Sequence, residues 1–128
     1  MNQQLAPPSE ELAFRLLATV PYKDRLPAGR LTARLGIMRG NLRSLPELSL
    51  YLAPDTRTLP GVNLDGLADW IEHVIGDPDF AAEIRTTTRT ADSYVDGCMS
   101  VHALVEYRLA QARKIMERNW VITPSKEK

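Results

Sequence analysis

Among its 128 residues the sequence has one cysteine, Cys98, and few aromatic residues, at 6%. A single cysteine excludes an intramolecular disulfide framework. No apolar run approaches the roughly 20 residues of a membrane-spanning helix, and the first residues lack the basic and apolar regions of a secretory signal. Sixteen basic residues are balanced by sixteen acidic ones, which argues against a general nucleic-acid binder. We therefore expect a cytoplasmic protein without membrane contact.

The sequence also lacks the short motifs that mark common catalytic and phosphate-binding sites. It contains no glycine-rich phosphate loop, no Gly-x-Ser-x-Gly elbow, no Cys-x-x-Cys pair and no His-Glu-x-x-His. We therefore assign no catalytic residue and no cofactor, and an enzymatic function is disfavoured.

Helical patterns dominate what the sequence does contain. A chain of this length can bury a core without disulfides or metal. We predict a mainly α-helical single domain over residues 9–122, a bundle of four or five helices that includes a long C-terminal helix. Residues 1–8 include two glutamines and two prolines, and residues 123–128 read Thr-Pro-Ser-Lys-Glu-Lys, so we expect both segments to be flexible.

Capping residues mark the first helices. A good N-cap residue precedes each apolar stripe, and glycine or proline follows two of the stripes. We predict helices over residues 9–19, 63–76 and 77–85, the last followed by a threonine-rich loop. Further loops are predicted at 22–29 and 54–62, where prolines and glycines cluster.

Residues 30–45 fit two patterns. Five apolar residues have helical spacing, whereas four of the apolar or small residues alternate as in a strand. We predict a helix because it explains more apolar positions, although Gly36 and Gly40 each cost a helix about 1 kcal/mol relative to alanine. A short strand or irregular turn is predicted over residues 48–52. A strand or hairpin near residues 31–52 is the open alternative.

The final helix is predicted from Ser93 to about Asn119. At 1.5 Å per residue it is about 39 Å long, whereas a compact domain of this size has a radius of gyration of about 14 Å. The helix therefore spans the domain or protrudes from it. We predict that part of its apolar seam contacts another subunit; these interface residues are Val105, Leu109, Ala112, Met116 and Trp120.

Two sets of residues, each spaced by four along a helix, have side chains that bind metals or transfer protons: Cys98, His102 and Glu106, and Asp65, Asp69 and His73. For the first set we favour a packed cysteine and a hydrogen-bonded histidine, because structural zinc sites usually have four ligands. For the second set we favour a solvated helix face. No metal is therefore assigned.

Charge is unevenly distributed along the chain. Residues 22–45 contain six basic residues and one acidic residue, whereas residues 61–84 contain six acidic residues and no Lys or Arg. Arginine suits phosphate or carboxylate partners. The predicted anion- or partner-binding residues are therefore Arg30, Arg34, Arg39 and Arg43. Alternatively, the two segments neutralise each other within the chain or across a subunit boundary.

The function that we predict from these patterns is a small protein-interaction module, such as an adaptor, assembly factor or accessory subunit. Its partner is another protein or a second copy of itself, and nucleic acid is a disfavoured partner. The rival hypotheses are a metal-dependent or acid-base enzyme, and a binder of an anionic ligand or nucleic acid through the arginine-rich segment.

Overall fold

The computed structural model describes residues 5–32, 36–53 and 58–122. Helices form most of this part of the chain, which confirms the mainly helical prediction, and three short strands form an antiparallel sheet. The elements are α1 (Glu10–Leu17), β1 (Leu26–Thr32), β2 (Gly36–Leu42), α2 (Leu45–Leu52), β3 (Thr58–Gly61), α3 (Leu64–Trp70), α4 (Pro78–Thr90) and α5 (Tyr94–Ile122). A 3-10 turn at Tyr22–Asp24 precedes β1, and a π-helical turn at Ile71–Ile75 extends α3.

The predicted starts of α1, α3 and α4 are confirmed by their caps. The side chains of Ser9, Asn63 and Asp77 each accept a hydrogen bond from the backbone N–H three residues later. Gly76 ends the π-helical turn in the left-handed conformation, with φ of 86°, which glycine adopts without steric cost. These signals are local, since each depends on a few neighbouring residues.

The threonine-rich segment after Arg85 is helical, so the loop predicted there is wrong. Helix α4 continues to Thr90. The Thr88 hydroxyl donates to the Arg85 carbonyl, and the Thr90 hydroxyl donates to the carbonyl of Thr86. Threonine side chains bonded in this way to the preceding turn are compatible with a helix. Threonine alone therefore does not end α4.

The helix predicted over residues 30–45 is also wrong: the described residues of this region form a hairpin, which begins at Leu26 and ends at Leu42, earlier than the 31–52 of the alternative. Strands β1 and β2 pair along their whole length, from Leu26 opposite Leu42 to Thr32 opposite Gly36. The pairing buries Leu26 and Leu42 in the core, and Gly36 has a φ of 76° that is costly for other residues. The local helical spacing is outweighed by these contacts.

Two other local predictions change with the hairpin. Residues 48–52 belong to α2, whose N-cap is Ser44, and form no strand. The loop predicted over 22–29 contains the start of β1, and the loop predicted over 54–62 contains β3, although residues 54–57 lie outside the described part. In the described residues the sheet order is β2-β1-β3, so β1 is central.

Helix α5 forms the centre of the helical packing and contacts α1, α2 and α4. Its 29 residues correspond to about 43 Å. The predicted interface residues Val105, Leu109 and Ala112 are fully buried in the core. Their side chains therefore pack within the chain itself. None of the described helices combines the length and the apolar character that crossing a membrane requires.

A buried ion pair joins α5 to the start of α4. Asp77 and Arg108 are 1% and 2% exposed, and the guanidinium donates two hydrogen bonds to the carboxylate, at 2.9 and 3.2 Å. Arg108 Nη1 also donates to the carbonyl oxygen of Ala6 at 2.7 Å. The ion pair thereby fixes part of the N-terminal segment that we expected to be flexible, in which Leu5 is buried as well.

Candidate functional site

The outer face of the sheet contains a shallow trough that crosses all three strands. Arg39 on β2 lies opposite Gly29 on β1, and Gly29 lies opposite Gly61 on β3. Residues directly opposite each other in an antiparallel pair share a face of the sheet. Neither glycine has a side chain, so the row beside Arg39 consists of backbone, which is buried at Gly29 and exposed at Gly61.

Apolar side chains border this row. Leu31 and Leu59 lie opposite each other in the neighbouring row and are 45% and 37% exposed. Together with Pro27 they border a cavity of about 460 Å³. We call this surface the sheet trough, defined by Pro27, Gly29, Leu31, Arg39, Leu59 and Gly61. Its apolar walls and glycine backbone suit a flat or extended apolar group.

Among the described residues, Arg39 is the one charged side chain that lines the trough. It is exposed, and no ion pair of Arg39 occurs within residues 5–32, 36–53 and 58–122. A guanidinium binds a carboxylate through two parallel hydrogen bonds. Apolar surroundings strengthen such an attraction, because they screen charge less than water does.

The other predicted arginines do not join Arg39 in one site. The Arg43 guanidinium lies 3.3 Å from Glu47, and the Arg43 backbone N–H donates to the same carboxylate at 2.7 Å. This backbone bond, assisted by the guanidinium, lowers the pKa of Glu47. Arg30 on β1 lies opposite Met38, the residue that precedes Arg39 on β2, and so it does not lie opposite Arg39. Arg34 lies outside the described residues.

The basic and acidic segments do not neutralise each other through ion pairs in the described residues. In the acidic segment, Asp69 and Glu72 both bind Arg85, at 2.7 and 2.8 Å. Asp77 binds Arg108, and in the basic segment Arg43 binds Glu47. The ion-pair partners of the acidic segment therefore lie outside the basic segment, and those of the basic segment lie outside the acidic one.

The first set of possible metal ligands lies where α5 faces α2. Ser49 donates a hydrogen bond to the Glu106 carboxylate, and His102 Nε2 lies 3.9 Å from the same group. Because serine is bonded to the carboxylate, the arrangement lacks the serine-to-imidazole bond of a catalytic pair. Cys98 is 2% exposed, and burial raises the pKa of its thiol. A buried thiol of this kind is a poor nucleophile.

The second set lies on the exposed side of α3 and its π-helical extension. The Asp69 carboxylate is bound by Arg85, and His73 Nδ1 lies 3.0 Å from the Asp69 carbonyl oxygen, while Asp65 is exposed in the first turn of α3. Across the described part of the chain, no three His, Cys, Asp or Glu side chains converge in a way that could hold a metal ion.

The described side chains of the predicted subunit interface have little exposed surface. Met116 is partly buried against the core that contains Val105, Leu109 and Ala112, and the side chain of Trp120 lies outside the described part.

The sheet trough was not predicted from the sequence, because its glycines belong to segments interpreted as loops. The alternation Pro27-x-Gly29-x-Leu31 was the available signal for an exposed strand face.

Comparison with protein-family models, curated proteins and solved structures finds no match to this chain.

Proposed function

We propose that this chain is a small single-domain protein-interaction module that binds an extended segment of a partner protein across the sheet trough. The segment has apolar side chains and one carboxylate. The observation that carries the proposal is the position of Arg39, an exposed guanidinium at an apolar, glycine-lined trough. The proposed compartment is the cytoplasm, in keeping with a single free, buried cysteine.

Each part of the trough has a role in this binding. Contact with Leu31 and Leu59 removes exposed apolar surface from water, which favours association by about 25 cal/mol per Å². The exposed Gly61 has no side chain, which allows a partner to approach the backbone closely at that position. Arg39 gives specificity, because an apolar segment without a carboxylate leaves the guanidinium desolvated and unpaired.

A different protein fits this trough better than a second copy of the chain. None of the described residues that line the trough is acidic. A two-fold contact between identical troughs would therefore place two arginines in the interface without a carboxylate to bind either of them. Charge complementarity instead calls for an acidic partner segment.

The experiment is selection from a displayed library of random short peptides, followed by affinity measurements on the wild-type protein and three variants. Arg39→Gln removes the charge. Gly61→Ala adds a methyl group whose carbon meets the Gly29 backbone at 3.4 Å, an ordinary contact, and so narrows the trough without strain. Arg89→Gln is the matched control, because it removes the same charge from an exposed position on α4.

We expect the selected peptides to combine Asp or Glu with flanking apolar residues. Arg39→Gln should weaken their binding about tenfold, as the loss of a charge-assisted hydrogen bond does. Gly61→Ala should also weaken it, whereas Arg89→Gln should not. Selected peptides without an acidic residue, or equal binding to Arg39→Gln, would contradict the proposal.

A further inference from the structure

A second cavity, which shares no lining residue with the sheet trough, lies beside the C-terminal half of α5. Its volume is about 660 Å³, and its wall includes Tyr107, Lys114 and Arg118 of the helix and Pro7 of the N-terminal segment. We call it the α5 groove and define it by these four residues with Arg113. Its size lies within the range of small-molecule sites.

Hydrogen bonds fix the two sides of the α5 groove relative to each other. The Gln111 side-chain amide donates to the Leu5 carbonyl at 3.1 Å, and Arg108 donates to the Ala6 carbonyl at 2.7 Å. The same Arg108 is held by Asp77 and by the oxygen of the Gln111 amide. Pro7, which follows directly, is therefore held against α5, and the groove has a defined shape.

Positive charge predominates in the α5 groove. Among the described residues, Arg113, Lys114 and Arg118 are exposed and line it together with one acidic residue, Glu117. No salt bridge within the described residues involves any of these three cations. Lys114 and Arg118 are four residues apart on a helix, so their side chains are neighbours. They can approach one multiply charged anion together, and phosphate groups are such anions.

An exposed aromatic ring lies about two helical turns before these cations on α5. Tyr107 is 40% exposed and precedes Lys114 by seven residues, which is about two helical turns or about 10 Å. It therefore lies on the same side of α5 as Lys114. An exposed aromatic ring offers a stacking surface for a planar base. This spacing is of the order that separates the base of a nucleoside diphosphate from its phosphates.

We propose that the α5 groove is a binding site for a nucleotide, with the base against Tyr107 and the phosphates between Lys114 and Arg118. This inference does not depend on the proposed function of the sheet trough. The ligand class follows from the combination of a stacking surface with clustered cations in a small-molecule cavity.

Isothermal titration with three probes tests the assignment: ADP, adenosine and pyrophosphate. We expect ADP to bind more tightly than either of the others, and its affinity to fall as salt increases. Equal affinities for ADP and pyrophosphate would show an anion site without base recognition and would overturn the proposal. The absence of ADP binding at millimolar concentration would overturn it as well.

Variants test the cationic end and the aromatic end of the α5 groove independently. Lys114→Gln combined with Arg118→Gln should weaken ADP binding more than tenfold, because two charge-assisted contacts are lost. Tyr107→Leu should weaken ADP and adenosine while leaving pyrophosphate unchanged. Arg89→Gln is the charge control. Gln and Leu are good helix formers, and circular dichroism verifies the fold.

Arg39→Gln separates this proposal from the preceding one. It should alter peptide binding and leave ADP binding as in the wild type. Unchanged ADP binding in the Lys114 and Arg118 double variant would overturn the site assignment, whatever the sheet trough binds.

Discussion

Replacement of Asp77 by asparagine tests whether the buried ion pair holds α4, α5 and the N-terminal segment together. Asp77 is 1% exposed and both caps α4 and binds Arg108. Asparagine caps a helix about as well as aspartate, so Asp77→Asn keeps the cap and removes the charge. The buried Arg108 guanidinium is then left without its counter-ion.

The loss of one partner of a buried ion pair costs about 3–5 kcal/mol. The total stability of a domain is about 5–15 kcal/mol, so we expect Asp77→Asn to remove a large part of it. Asp77→Ala should cost about 1 kcal/mol more, because the cap is lost as well. Adding Arg108→Met to Asp77→Asn should restore part of the stability, since no unpaired charge remains in the core.

Urea unfolding followed by circular dichroism measures these differences, and an unchanged slope would show that the unfolded states are comparable. Asp69→Asn is the matched control, because Asp69 also binds an arginine, Arg85, but is largely exposed. Exposed pairs contribute little. The reasoning would be refuted if Asp77→Asn lost no more stability than the control, or if the double variant were no more stable than Asp77→Asn alone.

Three further predictions each concern a single residue. Burial raises the pKa of the Tyr94 phenol to about 12, against about 10 in an unfolded chain. Its contribution to stability is therefore complete below about pH 10 and decreases as the pH rises towards 12. Alkaline unfolding of Tyr94→Phe should lack this component, and the same pH dependence in both proteins would contradict it. Burial raises the pKa of Cys98, so a thiol reagent should react more slowly with the folded protein than in urea; equal rates would place the thiol at the surface. Gly36→Ala should lower the free energy of unfolding by about 1–2 kcal/mol, because φ at Gly36 is 76°, and unchanged stability would show that the turn tolerates a side chain.

Those elements that are specified by neighbouring residues could be predicted from the sequence. Ser9, Asn63 and Asp77 begin helices because their side chains bind the N–H three residues ahead, and sequence spacing records that relation directly. The hairpin could not be predicted from neighbouring residues alone. Its residues fit both periodicities, and β1 gains its second neighbour, β3, from a distant part of the chain.

The candidate site was likewise predictable only where the signal is local. Arg39 could be identified as one of several arginines in a basic segment, but the trough beside it depends on Gly29 lying opposite Gly61 across two strands. Similarly, Arg108 gave no local signal, because its partner Asp77 is on another helix. Pairings between distant segments follow from the tertiary fold, and the spacing of residues along one element does not contain them.

The arginines of this chain differ in what surrounds them, and that difference separates cations that stabilise the fold from cations available for binding. Arg85 and Arg108 each have a carboxylate within 3 Å. Arg39 and the cations of the α5 groove have no ion pair in the described residues, and each lines a cavity. Their removal should therefore leave the free energy of unfolding nearly unchanged, whereas loss of Arg108 should reduce it strongly. A chain with no net charge can thus present unpaired cations at two cavities, because several of its described carboxylates, such as Asp69, Glu72 and Asp77, are bound by other arginines.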